Sequence, residues 1–161
     1  MILPVTDNLG GALGFKVFEK LEVHLKESRW CYYKSNSQIL GILQNYREDL
    51  QNHLENPEVI RTVADKVRSG SIIKADLDHS SKGTIVDLQI LGQNGKDVYF
   101  KEKTSLANSD PGAIGTTITN WLEIYAKKIP YDGQITGVLG TQFTIDVGKA
   151  SLVRVGDSVD I

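Results

Sequence analysis

The stretch Ser71–Thr104, SIIKADLDHSSKGTIVDLQILGQNGKDVYFKEKT, decides how this chain is read. It predicts three consecutive strands. Ile72–Leu77 is short and β-branched at its start. Thr84–Leu91 alternates, with Val86, Leu88 and Ile90 on one side and Ile85, Asp87, Gln89 and Leu91 on the other. The second set is polar only in its middle, so that face is expected to be half wet. Val98–Lys103 sets Val98, Phe100 and Glu102 against Tyr99, Lys101 and Lys103. Asn94-Gly95 between the second and third runs is a strong hairpin signal, because both residues tolerate positive φ. Ser80-Ser81-Lys82-Gly83 supplies the other turn. A meander of this kind needs a cover on its apolar face, and flanking helices are its natural source.

Working outward, Ile2–Val5 reads as a short strand, with Pro4 placing it at an edge or a strand end. From Leu9 to Ser28, Leu13, Val17, Leu21 and Leu25 recur every four residues and predict an amphipathic helix whose first turns Gly10, Gly11 and Gly14 weaken. Arg29–Lys34 is short and aromatic-rich, which favours a strand. Ser35-Asn36-Ser37 caps a second helix carrying Ile39, Leu40, Leu43, Tyr46, Leu50 and Leu54. Asn56-Pro57-Glu58 supplies cap, first-turn proline and acidic residue for a third, which ends at Ser69-Gly70. After the meander, Ser109-Asp110-Pro111 opens a last helix to Lys128 with Ile114, Ile118, Trp121, Leu122, Tyr125 and Ile129 inward. At Pro130–Gly133 helical periodicity stops. Short strands at Gln134–Leu139, Gln142–Val147, Leu152–Val155 and Ser158–Ile161 then make a small barrel-like piece, too short for an all-β core of its own.

The expected architecture is an α/β (α+β) sandwich: one layer of helices on a mixed sheet that draws strands from both halves. Residues 1–130 form the α/β domain and residues 131–161 a small β module. The chain has 161 residues and formal charge −2, enough for a real core and without general attraction to nucleic acid or anionic lipid. Cys31 is the only cysteine, so neither an internal disulfide nor a cysteine-based metal site is expected. No apolar run reaches transmembrane length, and the N-terminus lacks a signal-peptide pattern. Met1–Val5 starts in mid-strand and Asp160-Ile161 stops in another, as expected of a piece of a longer protein.

The search for chemistry is largely negative. Gly92-Gln93-Asn94-Gly95-Lys96 lacks the spacing and following helix of a phosphate loop. Gly10–Gly14 follows a strand and opens a helix, the setting for anion binding, but misses the dinucleotide spacing. Asp76, Asp78 and His79 gather at a strand end and read as solvated loop residues rather than a metal or acid/base site. His24 and His53 have no ligand-type neighbour at i+4, and Cys31 between Trp30 and Tyr32 reads as a buried, inert thiol. Tyr99, Phe100, Lys101 and Lys103 mix basic and aromatic residues, as RNA-binding sheets do. Glu102, Asp97 and Asp87 dilute that charge, which favours a solvated strand face. No catalytic, cofactor-binding or metal-binding residue is expected.

Ile2-Leu3-Pro4-Val5 before a long helix, then RWCYYKSN, VADKVRSGSIIKADL and TIVDLQILGQNGKDVYF, resembles the N-terminal domain fold of TolB over residues 2–128. Related domains occur in the flagellar assembly protein FlgT, the curli secretion protein CsgG and lipoprotein activators of peptidoglycan synthases. The tail is similar to the start of the SH3-like C-terminal domain of FlgT-type proteins, through Gly133, Ile135, Val138, Gly140, Ile145, Asp146, Gly148, Gly156 and Asp157. The resemblance implies a non-enzymatic periplasmic assembly module, foremost of a flagellar basal-body ring, with no cofactor. Its partners would be other envelope or flagellar proteins, with a ring homo-oligomer as one form, and neither nucleic acid nor membrane insertion. The alternatives are an envelope lipoprotein domain that activates a cell-wall synthase and, from another class, a small-molecule or nucleotide binder using Gly10–Gly14. For partner contact, Tyr32, Tyr99 and Tyr131 are the aromatic candidates.

Overall fold

The structure is a computed structural model that describes residues 1–28, 31, 33, 36–44, 50–128 and 135–145, without the side chains of residues 36, 37, 135, 143 and 145. In order, the elements are β1 (Thr6–Asp7), α1 (Ala12–Glu27), α2 (Asn36–Leu43), α3 (Leu50–Glu55), α4 (Pro57–Val67), β2 (Ser71–Ser80), β3 (Gly83–Gly92), β4 (Val98–Leu106), α5 (Pro111–Lys128), β5 (Ile135–Leu139) and β6 (Gln142–Ile145). The chain divides into two compact units, Met1–Ala126 and Lys127–Ile161.

The first unit is an α+β fold on a mixed sheet of order β1-β2-β3-β4. β1 runs parallel to β2, and β2, β3 and β4 form the antiparallel meander. The N-terminal strand begins before β1: Ile2 bridges Ile73, Leu3 N–H donates to Ile73 and Ile73 N–H to Met1. Pro4 has no N–H to give, and the ladder resumes only at Thr6. The second described unit is the β5–β6 hairpin, which forms a sheet of its own. The expectation of a mixed sheet with strands from both halves of the chain is met by the N-terminal segment and the meander.

The expected single helical layer is corrected. Along β2, alternate side chains enter two different cores. Ile73, Ala75 and Leu77, with Val86, Leu88, Ile90 and Phe100, pack against α1 (Leu13, Val17, Phe18, Leu21, Leu25) and α5 (Ile114, Ile118, Leu122). On the opposite face, Ile72 and Leu91 pack with Met1 and Leu3 against Ile39, Leu43, Leu54, Ile60, Val63, Ala64 and Val67 from α2, α3 and α4. Helices thus cover both faces, the second face only at one end. The remainder of that face is the half-wet surface the alternation predicts. There Asp76 lies opposite Asp87, a like-charge pair that would be unfavourable alone. Lys74 relieves it at 3.5 Å from Asp76 and 2.8 Å from Glu55, while Lys103 and Lys101 flank Asp87 at 3.4 and 3.9 Å.

Local signals account for the element ends. Asn56 Oδ1 accepts from Glu58 N–H and Pro57 occupies the first helical position of α4, as the sequence predicts. Asn56→Ala is expected to cost about 1 kcal/mol, measured by chemical denaturation. Helix α1 starts at Ala12 rather than Leu9 because Gly10 and Gly11 take positive φ (72° and 88°). Within Arg29–Lys34, Cys31 and Tyr33 are described, and neither lies in a strand. Tyr33 is drawn instead to α1, donating its hydroxyl to Glu22 (2.8 Å). Cys31 is half-buried against the first core with Ser28 Oγ at 3.3 Å. The predicted helix over Ser37–Leu54 is described as two segments, α2 and α3, and residues 45–49 lie outside the described residues, as do the predicted strands at 152–155 and 158–161.

Candidate interaction surfaces

Gly10–Gly14, the position of the nucleotide-binding alternative, is filled from within. The Asp7 carboxylate accepts from Leu9 N–H (2.8 Å), Gly11 N–H (2.7 Å) and Gly14 N–H. Burial by itself raises the carboxyl pKa, but the N–H groups of Gly14, Gly11, Leu9 and Leu13 outweigh it and hold Asp7 below the usual carboxylate range. The amides that would cradle a ligand anion at the start of α1 already hold one.

Asp76, Asp78 and His79 are not loop residues: β2 extends through Ser80 and carries all three. They also do not converge. Asp76 accepts from Thr6 and Asp78 from Asn8 Nδ2 (2.7 Å), whereas His79 Nδ1 lies 2.7 Å from Ser109 Oγ. Ser109 Oγ is in turn 2.8 Å from Thr84 Oγ1, and Thr84 is buried. This hydroxyl–imidazole chain ties the end of β2, the start of β3 and the segment before α5 together. Asn8 Oδ1 accepts from His79 N–H and adds the segment after β1 to the same knot.

Sequence periodicity misses the most exposed apolar side chains of the first unit. Phe15 and Val23 of α1 are 62 % and 56 % exposed, with Leu9 at 48 % just before the helix. Positions 15, 19 and 23 lie one turn apart on a second stripe, outside the Leu13–Val17–Leu21–Leu25 face that fills the core. The signal was present as two apolar residues eight positions apart, each four from Glu19, but the stronger stripe claims the helix. Beside Val23, an open groove of about 540 Å³ runs between α1 (Lys16, Glu19, Lys20) and the start of α5 (Pro111, Gly112), with Asp110 at its end. The Lys20 stem packs on Gly115, where a methyl group would lie 3.2 Å from Lys20 Cδ. Asp110 caps α5 by accepting from Ala113 N–H (2.8 Å). The N–H groups of Ala113 and Gly112 pull its pKa below the usual carboxylate range, with Lys20 adding a smaller push.

Of the three tyrosines named as contact candidates, Tyr32 and Tyr131 lie outside the described residues. Tyr99 is 55 % exposed. It does not obey the alternation read from the sequence. Ile90 pairs with Phe100 but Leu91 pairs with Val98, so Tyr99 is an extra residue in β4, a β-bulge. Val98 consequently falls on the face opposite Phe100 instead of sharing it. The ring of Tyr99 reaches back over Gly92, where an added methyl group would come within 2.7 Å of its hydroxyl. Around it, Arg61 and Asp65 of α4 and Gln93, Asn94 and Asp97 of the β3–β4 turn line a shallow cleft of about 400 Å³. Only Gly95 of the Asn94-Gly95 pair takes positive φ (68°), and its backbone rests on Pro57 and Ile60 of α4. Asn94 instead uses its side chain, Oδ1 accepting from the N–H groups of Lys96 and Asp97 at 3.0 Å.

No family model matches the chain, and no curated protein matches it in sequence. Among solved structures, the C-terminal domain of LpoB from Salmonella enterica is similar, with a TM-score of 0.49 and 13 % identity over 65 % of this chain and 78 % of that one. No described helix is long and apolar enough to cross a membrane.

Proposed function

We propose that the chain is a non-enzymatic, periplasmic protein-binding module of the bacterial cell envelope, of the kind carried by lipoprotein activators of cell-wall synthases. The observation that carries the protein-binding part is the exposed Phe15–Val23 stripe, on a domain whose two cores are already filled by other side chains. An exposed phenylalanine and valine on one helix face, rimmed by Lys16, Glu19 and Lys20, has the composition of a contact centre with a polar surround. The envelope setting is supported by the resemblance of residues 2–128 to TolB-type domains. A flagellar basal-body ring is the second reading. It is favoured by the glycine-spaced C-terminal stretch, of which the β5–β6 hairpin is the described part.

A photo-crosslinking residue at position 15, expressed in the native cell, tests this directly. An adduct with a cell-wall synthase supports the first reading and one with a basal-body component the second. An adduct with some other protein overturns both assignments, and the absence of any adduct overturns the protein-contact reading at this stripe. The double substitution Phe15→Asp with Val23→Asp is expected to abolish the adduct formed from an adjacent position such as Glu19. It should leave the melting temperature within about 2 °C, because both side chains are exposed.

A further inference from the structure

The Tyr99 cleft is independent of the α1 stripe and has a different chemistry. Its platform is built in three steps. The bulge opposite Ile90 and Leu91 takes Tyr99 out of the strand alternation. Gly92, having no side chain, leaves room for the hydroxyl end of the Tyr99 ring. The ring remains more than half exposed instead of joining Phe100, which packs on Tyr125 at 5.5 Å. An aromatic side chain this exposed, with its hydroxyl end seated at a glycine, offers a flat apolar surface to solvent.

The groups around the platform are planar and make hydrogen bonds in pairs: one guanidinium, two carboxylates and two amides. They are held in place by one another. Gln93 Nε2 donates to Asp65 (2.8 Å), Asn94 Nδ2 donates to Asp97 (2.9 Å), and Arg61 lies 3.7 Å from Asp65. Each carboxylate retains acceptor capacity and the guanidinium retains donors, so a ligand meets groups whose positions are already set. Charge is mostly balanced inside this rim, since Arg61 also faces Glu58 at 3.9 Å and Lys96 pairs with Glu58 at 3.5 Å. A strongly ionic ligand finds no concentrated opposite charge.

We infer that this cleft binds a neutral saccharide, one sugar unit of an oligosaccharide stacking its C–H face on Tyr99 while its hydroxyls meet Arg61, Asp65, Gln93 and Asp97. A pyranose combines an apolar face with a rim of vicinal hydroxyls, which matches an aromatic plate beside planar two-point partners. The openness of the cleft suits a unit within a longer chain better than an engulfed small molecule.

The test is an amide chemical-shift titration of the whole chain with chitotetraose, cellotetraose and maltotetraose, each to about 10 mM. At least one sugar is expected to shift the amides of Gly92–Phe100 and Arg61–Asp65 with Kd of about 1 mM. Tyr99→Ala should weaken that binding at least about tenfold with an unchanged melting temperature, whereas Tyr99→Trp should retain it. Phe15→Asp with Val23→Asp should bind the sugar as the parent does, which separates this site from the α1 surface. Absence of shifts with all three sugars overturns the inference, as does equal binding by Tyr99→Ala. Shifts of the same amides by trilysine but by none of the sugars would make the cleft a cation site and overturn it equally.

Discussion

Asp7→Ala is expected to destabilise the protein by about 3 kcal/mol, read as a fall of about 10 °C in melting temperature. The magnitude follows from what the carboxylate holds. It accepts N–H groups from Leu9, Gly11 and Gly14 around the left-handed Gly10-Gly11 turn. Removing it leaves the Gly14 N–H, in a buried part of the helix start, without an acceptor. A charged acceptor also favours the positive end of the α1 dipole, and the helix has no acidic residue in its first turn to replace it. Asp7→Asn should be milder, since one acceptor oxygen survives.

The same group gives a pH signature. Its folded pKa is lowered, so the unfolded state binds the proton first as pH falls. The stabilisation is therefore complete above the unfolded carboxylate value of about 3.9 and is lost as pH drops through the lower folded value. Denaturation curves of the parent and Asp7→Asn should differ most above about pH 4 and converge below it. A gap that stays constant to pH 2 would show that the carboxylate's charge contributes nothing to the turn.

The meander was legible because alternation is a local property: Val86, Leu88 and Ile90 point inward wherever the chain goes next. The α4 cap was legible for the same reason, as Asn56 acts on a backbone amide two residues away. The two-faced helical cover was not. Ile72 and Ile73 are adjacent, equally apolar and buried in different cores, and only the sheet's position between two helix groups separates them. The Tyr99 bulge escaped because register is a property of two strands, and β4 alone reads as regular alternation. Phe15 and Val23 escaped because a helix with one strong apolar stripe satisfies the periodicity before its second stripe is considered. At Gly10–Gly14 the local pattern is sound and only the occupant differs. The anion-binding geometry foreseen there is real, and the anion is a side chain three residues before Gly10.

The close approach at the start of α1 gives one glycine substitution a sign opposite to the usual rule. Glycine inside a helix normally costs up to about 1 kcal/mol relative to alanine. Gly41 of α2 obeys that rule. It is exposed, and a methyl group there would touch nothing within 4 Å, so Gly41→Ala should stabilise by about 0.5–1 kcal/mol. Gly14 is also helical and its φ is ordinary, yet a methyl group there would fall on the carbonyl oxygen of Val5, with Asp7 Oδ2 at 3.2 Å. Neither neighbour can yield. The Val5 backbone belongs to the N-terminal segment that pairs with β2, and the Asp7 carboxylate is the acceptor for the turn itself. Gly14→Ala must therefore push α1 away from β1 or break the Asp7 bonds, and a loss of about 3 kcal/mol or more is expected. Denaturation of the two alanine variants side by side gives opposite signs if the close approach of α1 to the N-terminal strand is as described. Stabilisation by both would mean that α1 has room to spare at its start, and that Asp7 does not hold the helix against the sheet.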